Sequence, residues 1–244
     1  MNDFNDERIG PAVRILDLTK RFGFKTALND IDFTLNHGEL LAVFGPNGAG
    51  KTTLIRILST LMRPTSGKVT VLGHDLEKEG DSLRRAFGVL THRPLLFDNL
   101  TARENLKFYG QMFALRNLND RINEILTEVG LIEYRDQQVE TFSRGMQQRL
   151  AIARAIIHKP HLLLLDEPYT GLDQDGIVFL RQTLKAFLDE GKTAIMTCHD
   201  FEFGLELCSK AAIFNRGHLI YYGNPSDLDE SFESLYQKCV DSGA

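Results

Sequence analysis

Eight consecutive residues limit what this chain can fold into more than any other feature: Gly45-Pro46-Asn47-Gly48-Ala49-Gly50-Lys51-Thr52. Their spacing is G-x-x-x-x-G-K-T, and glycines at those positions let the backbone curl until its N–H groups point inward at phosphate oxygens. The flanks agree. Leu40–Phe44 is an unbroken apolar run, as expected of a strand buried on both faces. The segment TTLIRILSTLM after Lys51 places Leu54, Ile57, Leu58 and Leu61 on one helical face before Pro64, Ser66 and Gly67 break the pattern. A helix opening near Lys51 adds its positive dipole end to the loop. Strand, loop and helix in this order make a nucleotide cradle. Lys51 is placed to meet the β- and γ-phosphates of ATP and Thr52 to ligate Mg²⁺, with Pro46, Asn47, Ala49 and Thr53 completing the wall.

The rest of the chain reads as an α/β fold. AVRILDLT and LNDIDFTL alternate as half-exposed antiparallel strands ahead of the buried one, so the first ninety residues read as strands around the glycine loop. From Thr101 the period turns helical. Thr101-Ala-Arg-Glu104 has the form of a capping box, with Leu100 set to act as a hydrophobic staple. A second helix over residues 120–129 closes at Gly130. A third opens at Ser143 and ends at His158-Lys159-Pro160, two cations beside a negative helix end and then a residue that cannot continue it. Strands return in HLLLLDEP, TAIMT, AAIF and HLIYYG, with an amphipathic helix over residues 173–190 between the first two. The expected division is one domain in three parts: 1–91, a helical insertion over 92–160, and 161–244.

Composition excludes several function classes. A formal charge of -5 gives no global field to hold nucleic acid, and no nucleic-acid partner is expected. The three cysteines follow no zinc or disulfide spacing, and the acidic start MNDFNDERIGP is unlike a signal peptide, which points to a cytoplasmic setting. No apolar run approaches the roughly 18–20 residues that span a bilayer, so a membrane role requires a partner.

Two carboxylates end a buried strand: Leu162 to Leu165 run into Asp166 and Glu167. The C-terminal edge of such strands is where open α/β sheets bind ligands. Asp166 suits Mg²⁺, and Glu167 suits orientation or deprotonation of an attacking water. Ser143 and Gly145, in TFSRGMQQR, open a helix, and on residue type alone Ser143 is an N-cap. His199 follows the buried strand TAIMT, and Thr170-Gly171-Leu172-Asp173 follows the carboxylates.

Together and in this order, these motifs resemble those of the ABC (ATP-binding cassette) ATPases over nearly the whole chain. The resemblance implies a P-loop core with a mainly parallel sheet, an antiparallel β subdomain and a helical insertion. It implies that Ser143 and Gly145 bind the γ-phosphate of ATP held by a second ATP-binding subunit. His199 becomes the switch histidine, residues 170–173 the loop along the dimer interface, and Phe22 an adenine-stacking residue, although Phe22 also reads as plain core. It further implies an integral membrane permease as partner, received in a groove formed by the helical insertion and the His92 loop on the inner face of the membrane. FSRGMQQRL and DEPYTGLD look like the ATP-binding subunits of bacterial haem exporters of cytochrome c maturation. A membrane-free assembly factor, as in iron–sulfur cluster assembly, is the second reading.

The sequence departs from the family pattern at three positions. His92 stands where a glutamine is usual; its neutral imidazole can reach a water or metal and its protonated form repels Mg²⁺. Arg144 replaces a glycine and is expected to add positive charge near the neighbouring triphosphate or to lie in solvent. Met146 replaces a glutamine and is expected to pack against an apolar neighbour.

Overall fold

The structure, a computed structural model, describes residues 10–91, 94–228 and 231–241. Alternating burial along β1 (Val13–Phe22) and β2 (Lys25–Leu35) puts one face of this antiparallel pair inward. β3 (Leu40–Phe44) is buried at every position and passes through the glycine loop into α1 (Lys51–Leu58). β4 (Ser66–Val71) pairs with the free edge of β1 and β5 (His74–Asp75) with β4, giving a four-stranded sheet of order β2-β1-β4-β5. α2 (Leu76–Leu83) then leads to β6 (Phe87–Leu90).

The second sheet joins β3 and β6 to β7 (Leu162–Asp166), β8 (Thr193–Thr197), β9 (Lys210–Asn215) and β10 (His218–Gly223). Its order is β10-β9-β3-β8-β7-β6, parallel except for β10 against β9. Side chains alternate across β3. Leu41 and Val43 pack toward β1, β2 and α1, while Leu40, Ala42 and Phe44 pack toward the opposite face with Leu165, Met196 and Ile213. Burying one large aliphatic or aromatic side chain is worth about 1.5–3 kcal/mol. The central strands accordingly carry no charge until Asp166, where the sheet ends.

Between β6 and β7 lie α3 (Ala102–Met112), α4 (Leu118–Glu128) and α5 (Arg144–Ile156), which share their own core of Leu106, Ile122, Ile125, Leu126 and Leu150. α6 (Gln174–Asp189) links β7 to β8, α7 (Phe201–Leu207) links β8 to β9, and α8 (Phe232–Asp241) closes the chain.

Four local expectations need correction. α1 stops at Leu58 because Thr60 turns left-handed (φ 61°), leaving Leu61 72% exposed instead of on the inner face. The first ninety residues are not all strand, since they contain α2 as well as α1. The capping box forms, but no staple does. Asn105 occupies the inner position, fully buried, with its side-chain amide spent on the backbone of Phe97, Leu100 and Thr101. Finally, His158 is not a cation at the end of α5: burial pushes its pKa down to about 4.

Candidate functional site

The glycine loop has the shape its sequence requires. Gly50 has φ 112°, and a Cβ there would sit 2.6 Å from the Ala27 carbonyl oxygen, so only glycine lets the loop pass under β2. At Gly45 a Cβ would collide with the Phe214 carbonyl oxygen. Inside this curl the buried Lys51 ammonium donates to the carbonyls of Gly45 (2.6 Å) and Pro46 (3.2 Å). Burial pushes the Lys51 pKa down, and the charges of Glu167 and Asp166 oppose that shift.

The strand ends bring the acidic residues to the same place. Asp166 Oδ1 accepts from Thr52 Oγ1 at 3.2 Å and from Thr197 Oγ1 at 2.9 Å. Thr197 Oγ1 in turn accepts the Glu167 amide at 2.9 Å. Glu167 is left-handed (φ 52°), which turns the chain away from β7, and its Oε1 lies 2.6 Å from His199 Nε2. The hydroxyl of Tyr169 accepts the amides of His199 and Asp200. Sequence reasoning missed Thr197 and Tyr169. Thr197 could have been noticed as the polar last residue of TAIMT, one strand over from Asp166.

Of these strand-end groups Glu167 reaches a cavity of about 330 Å³ over the loop, lined by Phe22, Lys25 and Ala27 on one side and by residues 47–53 and Glu167 on the other. Phe22 is 47% exposed and therefore not core; the Lys20 ammonium lies 5.1 Å from its ring. Larger hollows of about 450 and 490 Å³ lie around Arg121 and Lys159, away from the carboxylates.

Ser143 and Gly145 do not line the cavity. Ser143 is exposed and caps α5 by accepting the Met146 amide at 3.3 Å. Met146 packs against the core of α3 to α5, and the Arg144 guanidinium lies against Gly171. His92 lies outside the described residues.

A phosphate loop at a strand-to-helix turn, with a carboxylate pair and a histidine at its mouth, defines a P-loop nucleotide-hydrolysing protein. The ABC transporter family model matches residues 28–170, and the chain belongs to that family. It therefore binds ATP and is an ATPase whose hydrolysis is coupled to transport, and ATP-binding subunits of this family work with membrane permease subunits.

Its relatives include the linearmycin resistance ATP-binding protein LnrL of Bacillus subtilis (strain 168), 38% identical over 214 residues, 87% of this chain and 69% of that protein. The ABC transporter ATP-binding protein NatA of the same organism is 35% identical over 229 residues, 91% of this chain and 93% of that one. A Nod factor export ATP-binding protein I of Bradyrhizobium diazoefficiens is 36% identical, covering 89% and 72%. Among solved structures, one described as the ATP binding subunit of an ABC transporter superposes with TM-score 0.85 at 26% identity, over 93% of this chain and 98% of its own. The expected likeness to haem exporters of cytochrome c maturation finds no support in these relatives, of which LnrL is named for linearmycin resistance and the Bradyrhizobium protein for Nod factor export. Among the described residues, no helix is long and apolar enough to cross a membrane.

Proposed function

We propose that the chain is the cytoplasmic, membrane-peripheral motor of an exporter of the drug-resistance or Nod-factor type, and that it works as one of two ATP-binding subunits. The 2.6 Å contact between Glu167 Oε1 and His199 Nε2, beside a cavity lined by Lys51 and Glu167, carries the hydrolytic part of this reading, and the relatives' names support the export type. In-line phosphoryl transfer needs a placed water and compensation of charge more than it needs new covalent chemistry. Glu167 takes the role of orienting and deprotonating the water, and His199 holds that carboxylate and contacts the γ-phosphate. Lys51 and the loop amides grip the phosphates, while Phe22 stacks on adenine. The donor set fits Mg²⁺: Thr52 Oγ1 and Asp166 Oδ1 are hard oxygens 3.2 Å apart at the loop. When bound, Mg²⁺ would neutralise phosphate charge there.

Ser143 and Gly145, off the cavity and exposed or partly so, complete the site of a second copy or cognate subunit. The helical segment receives the permease. Supporting this, Leu95, Phe97, Phe108 and Met112 form an exposed apolar cluster at the start of this segment and on α3, with Phe97 and Phe108 rings 5.0 Å apart. The assembly-factor reading has no such support, since relatives are named for drug resistance or Nod factor export and none of those above for assembly.

The test is ATP turnover by the purified chain as a function of its concentration, with Glu167→Gln alongside. Specific activity should rise with concentration, and Glu167→Gln should keep ATP binding while losing at least about 100-fold in kcat. A concentration-independent rate would reject the shared site; an active Glu167→Gln would reject the role of Glu167.

A further inference from the structure

Beyond Thr197, the sheet holds only one more amide of this segment. Cys198 N–H donates to the Val43 carbonyl at 2.9 Å, and the next two amides, those of His199 and Asp200, have left the ladder. Both donate to one atom, the phenol oxygen of Tyr169, with Asp200 at 3.0 Å. An amide leaving a sheet edge normally turns to water, which holds nothing in place. Here it is held by a side chain from another loop.

That loop is the one that carries Glu167. Tyr169 lies two residues on, in a turn closed by Thr170 N–H to Glu167 O (3.2 Å) and Leu172 N–H to Tyr169 O (3.1 Å). Gln148 Nε2 anchors the same turn from α5 by donating to Pro168 O at 2.9 Å. The Tyr169 ring packs 5.0 Å from Phe203, and the Phe203 amide donates to Asp200 Oδ1 at 3.0 Å, so ring support and the start of α7 are built together. The Glu167–His199 contact closes a loop of interactions: carboxylate, turn, phenol, backbone of the histidine, imidazole.

We infer that Tyr169 is a positioning residue for hydrolysis: by accepting the His199 and Asp200 amides, its phenol oxygen holds the His199 imidazole at its working distance from Glu167. The inference rests on the roles proposed above for Glu167 and His199. Burial pushes the Tyr169 phenol up to about 12, which keeps it neutral and unchanged as an acceptor across the range in which enzymes turn over. The Lys51 ammonium is held by the Gly45 and Pro46 carbonyls, and Tyr169 does not line the cavity, so removing its hydroxyl leaves the nucleotide cradle in place.

Tyr169→Phe keeps the ring and its packing and removes only the acceptor. In the purified full chain, kcat should fall about 10- to 100-fold, the scale of a misplaced catalytic group, while KM and the Kd for a fluorescent ATP analogue stay within about twofold. Hydrogen exchange at the His199 and Asp200 amides should quicken while Cys198 is unchanged. Because Tyr169 acts through His199, the Tyr169→Phe/His199→Ala double variant should be no slower than His199→Ala alone. Phe203→Leu, which loosens the ring and leaves the phenol, is the second variant and should give a smaller fall in kcat with the same exchange pattern. Parental kcat in Tyr169→Phe beside an impaired His199→Ala, or losses that multiply in the double variant, would overturn the inference and leave the site assignment standing. Full activity in His199→Ala would overturn the assignment itself, and the inference with it.

Discussion

His158 follows the end of α5, where a positive charge would gain about 0.3–1 kcal/mol from the helix dipole. Its surroundings outweigh that gain. The ring is buried, stacks on Phe113 at 3.8 Å between centroids, and contacts the Phe87 carbonyl at 2.7 Å through Nε2. Burial is the largest cause of its lowered pKa, the hydrogen bond to Phe87 opposes it, and Arg154 and Arg121 add to it. The resulting drop from 6.5 to about 4 corresponds to about 3 kcal/mol, several times the dipole term. Nε2 therefore carries the proton and donates, and Nδ1 is left without a partner. In the unfolded chain the imidazole titrates near 6.5, so between that pH and about 4 the unfolded state binds the extra proton and the folded state does not. Stability from this residue is complete above the upper value and is lost as pH falls through the window. Urea titrations at pH 7 and pH 4.5 should show a fall to which His158 contributes about 2 kcal/mol, most of the full window. His158→Gln, which keeps a donor but does not titrate, should show a smaller fall; an equal fall in both would mean His158 is not its source.

The same competition between local pattern and surroundings runs through the elements. The α3 capping box was legible because Thr101 and Glu104 are three residues apart and bond each other's backbone, a wholly local event. The role of Asn105 was not legible. Its carboxamide accepts the Phe97 amide at 2.8 Å and donates to the carbonyls of Phe97 and Thr101, both at 3.0 Å, knotting residues 97–101 onto α3. Asn105→Leu would fit the apolar neighbours yet leave the part-buried Phe97 bonds unmade. It should cost about 2–4 kcal/mol, one to two unsatisfied polar groups, read as a lower urea midpoint; an unchanged midpoint would show that water replaces the amide. α2 escaped notice because EKEGDSL has no apolar stripe, and what starts it is Asp75 accepting the amides of Glu77 and Lys78. At the site, the positions of Lys51, Thr52, Asp166, Glu167 and His199 could be read from strand ends. Tyr169 could not, because its partners lie on another element; Thr197 stood out only as the polar last residue of TAIMT, since its pairing with Asp166 depends on sheet order, which is invisible to periodicity. Phe22 could be read either as core or as an exposed ring, and only packing decided it.

At the scale of the whole molecule, α5 ties the helical segment to the sheet. β6 is an edge strand, and the carbonyls of Phe87 and Val89, two apart and so on one side of it, accept from His158 Nε2 (2.7 Å) and Arg154 Nη2 (2.7 Å). An open edge invites pairing with other chains; here it is covered by the helix whose first residues are proposed to serve a second ATP. The aromatic cluster hangs from the same frame. Tyr109 donates to the Leu95 carbonyl at 2.5 Å, its ring lies 5.4 Å from the Arg154 guanidinium, and Phe108 and Met112 stand outward on α3. Force on this surface would thus reach β6 through packed and hydrogen-bonded groups. A cluster of large apolar side chains on a surface marks a docking site more than a lone one does. Replacing its centre with charge should remove that site without entering the core. Phe108→Glu combined with Met112→Glu should lower capture of the co-expressed permease roughly 30-fold, the equivalent of about 2 kcal/mol at an interface centre. The control is nucleotide affinity of the purified variant, which should match the parent because α3 does not line the cavity. Undiminished capture with parental nucleotide affinity would place the permease elsewhere on the molecule.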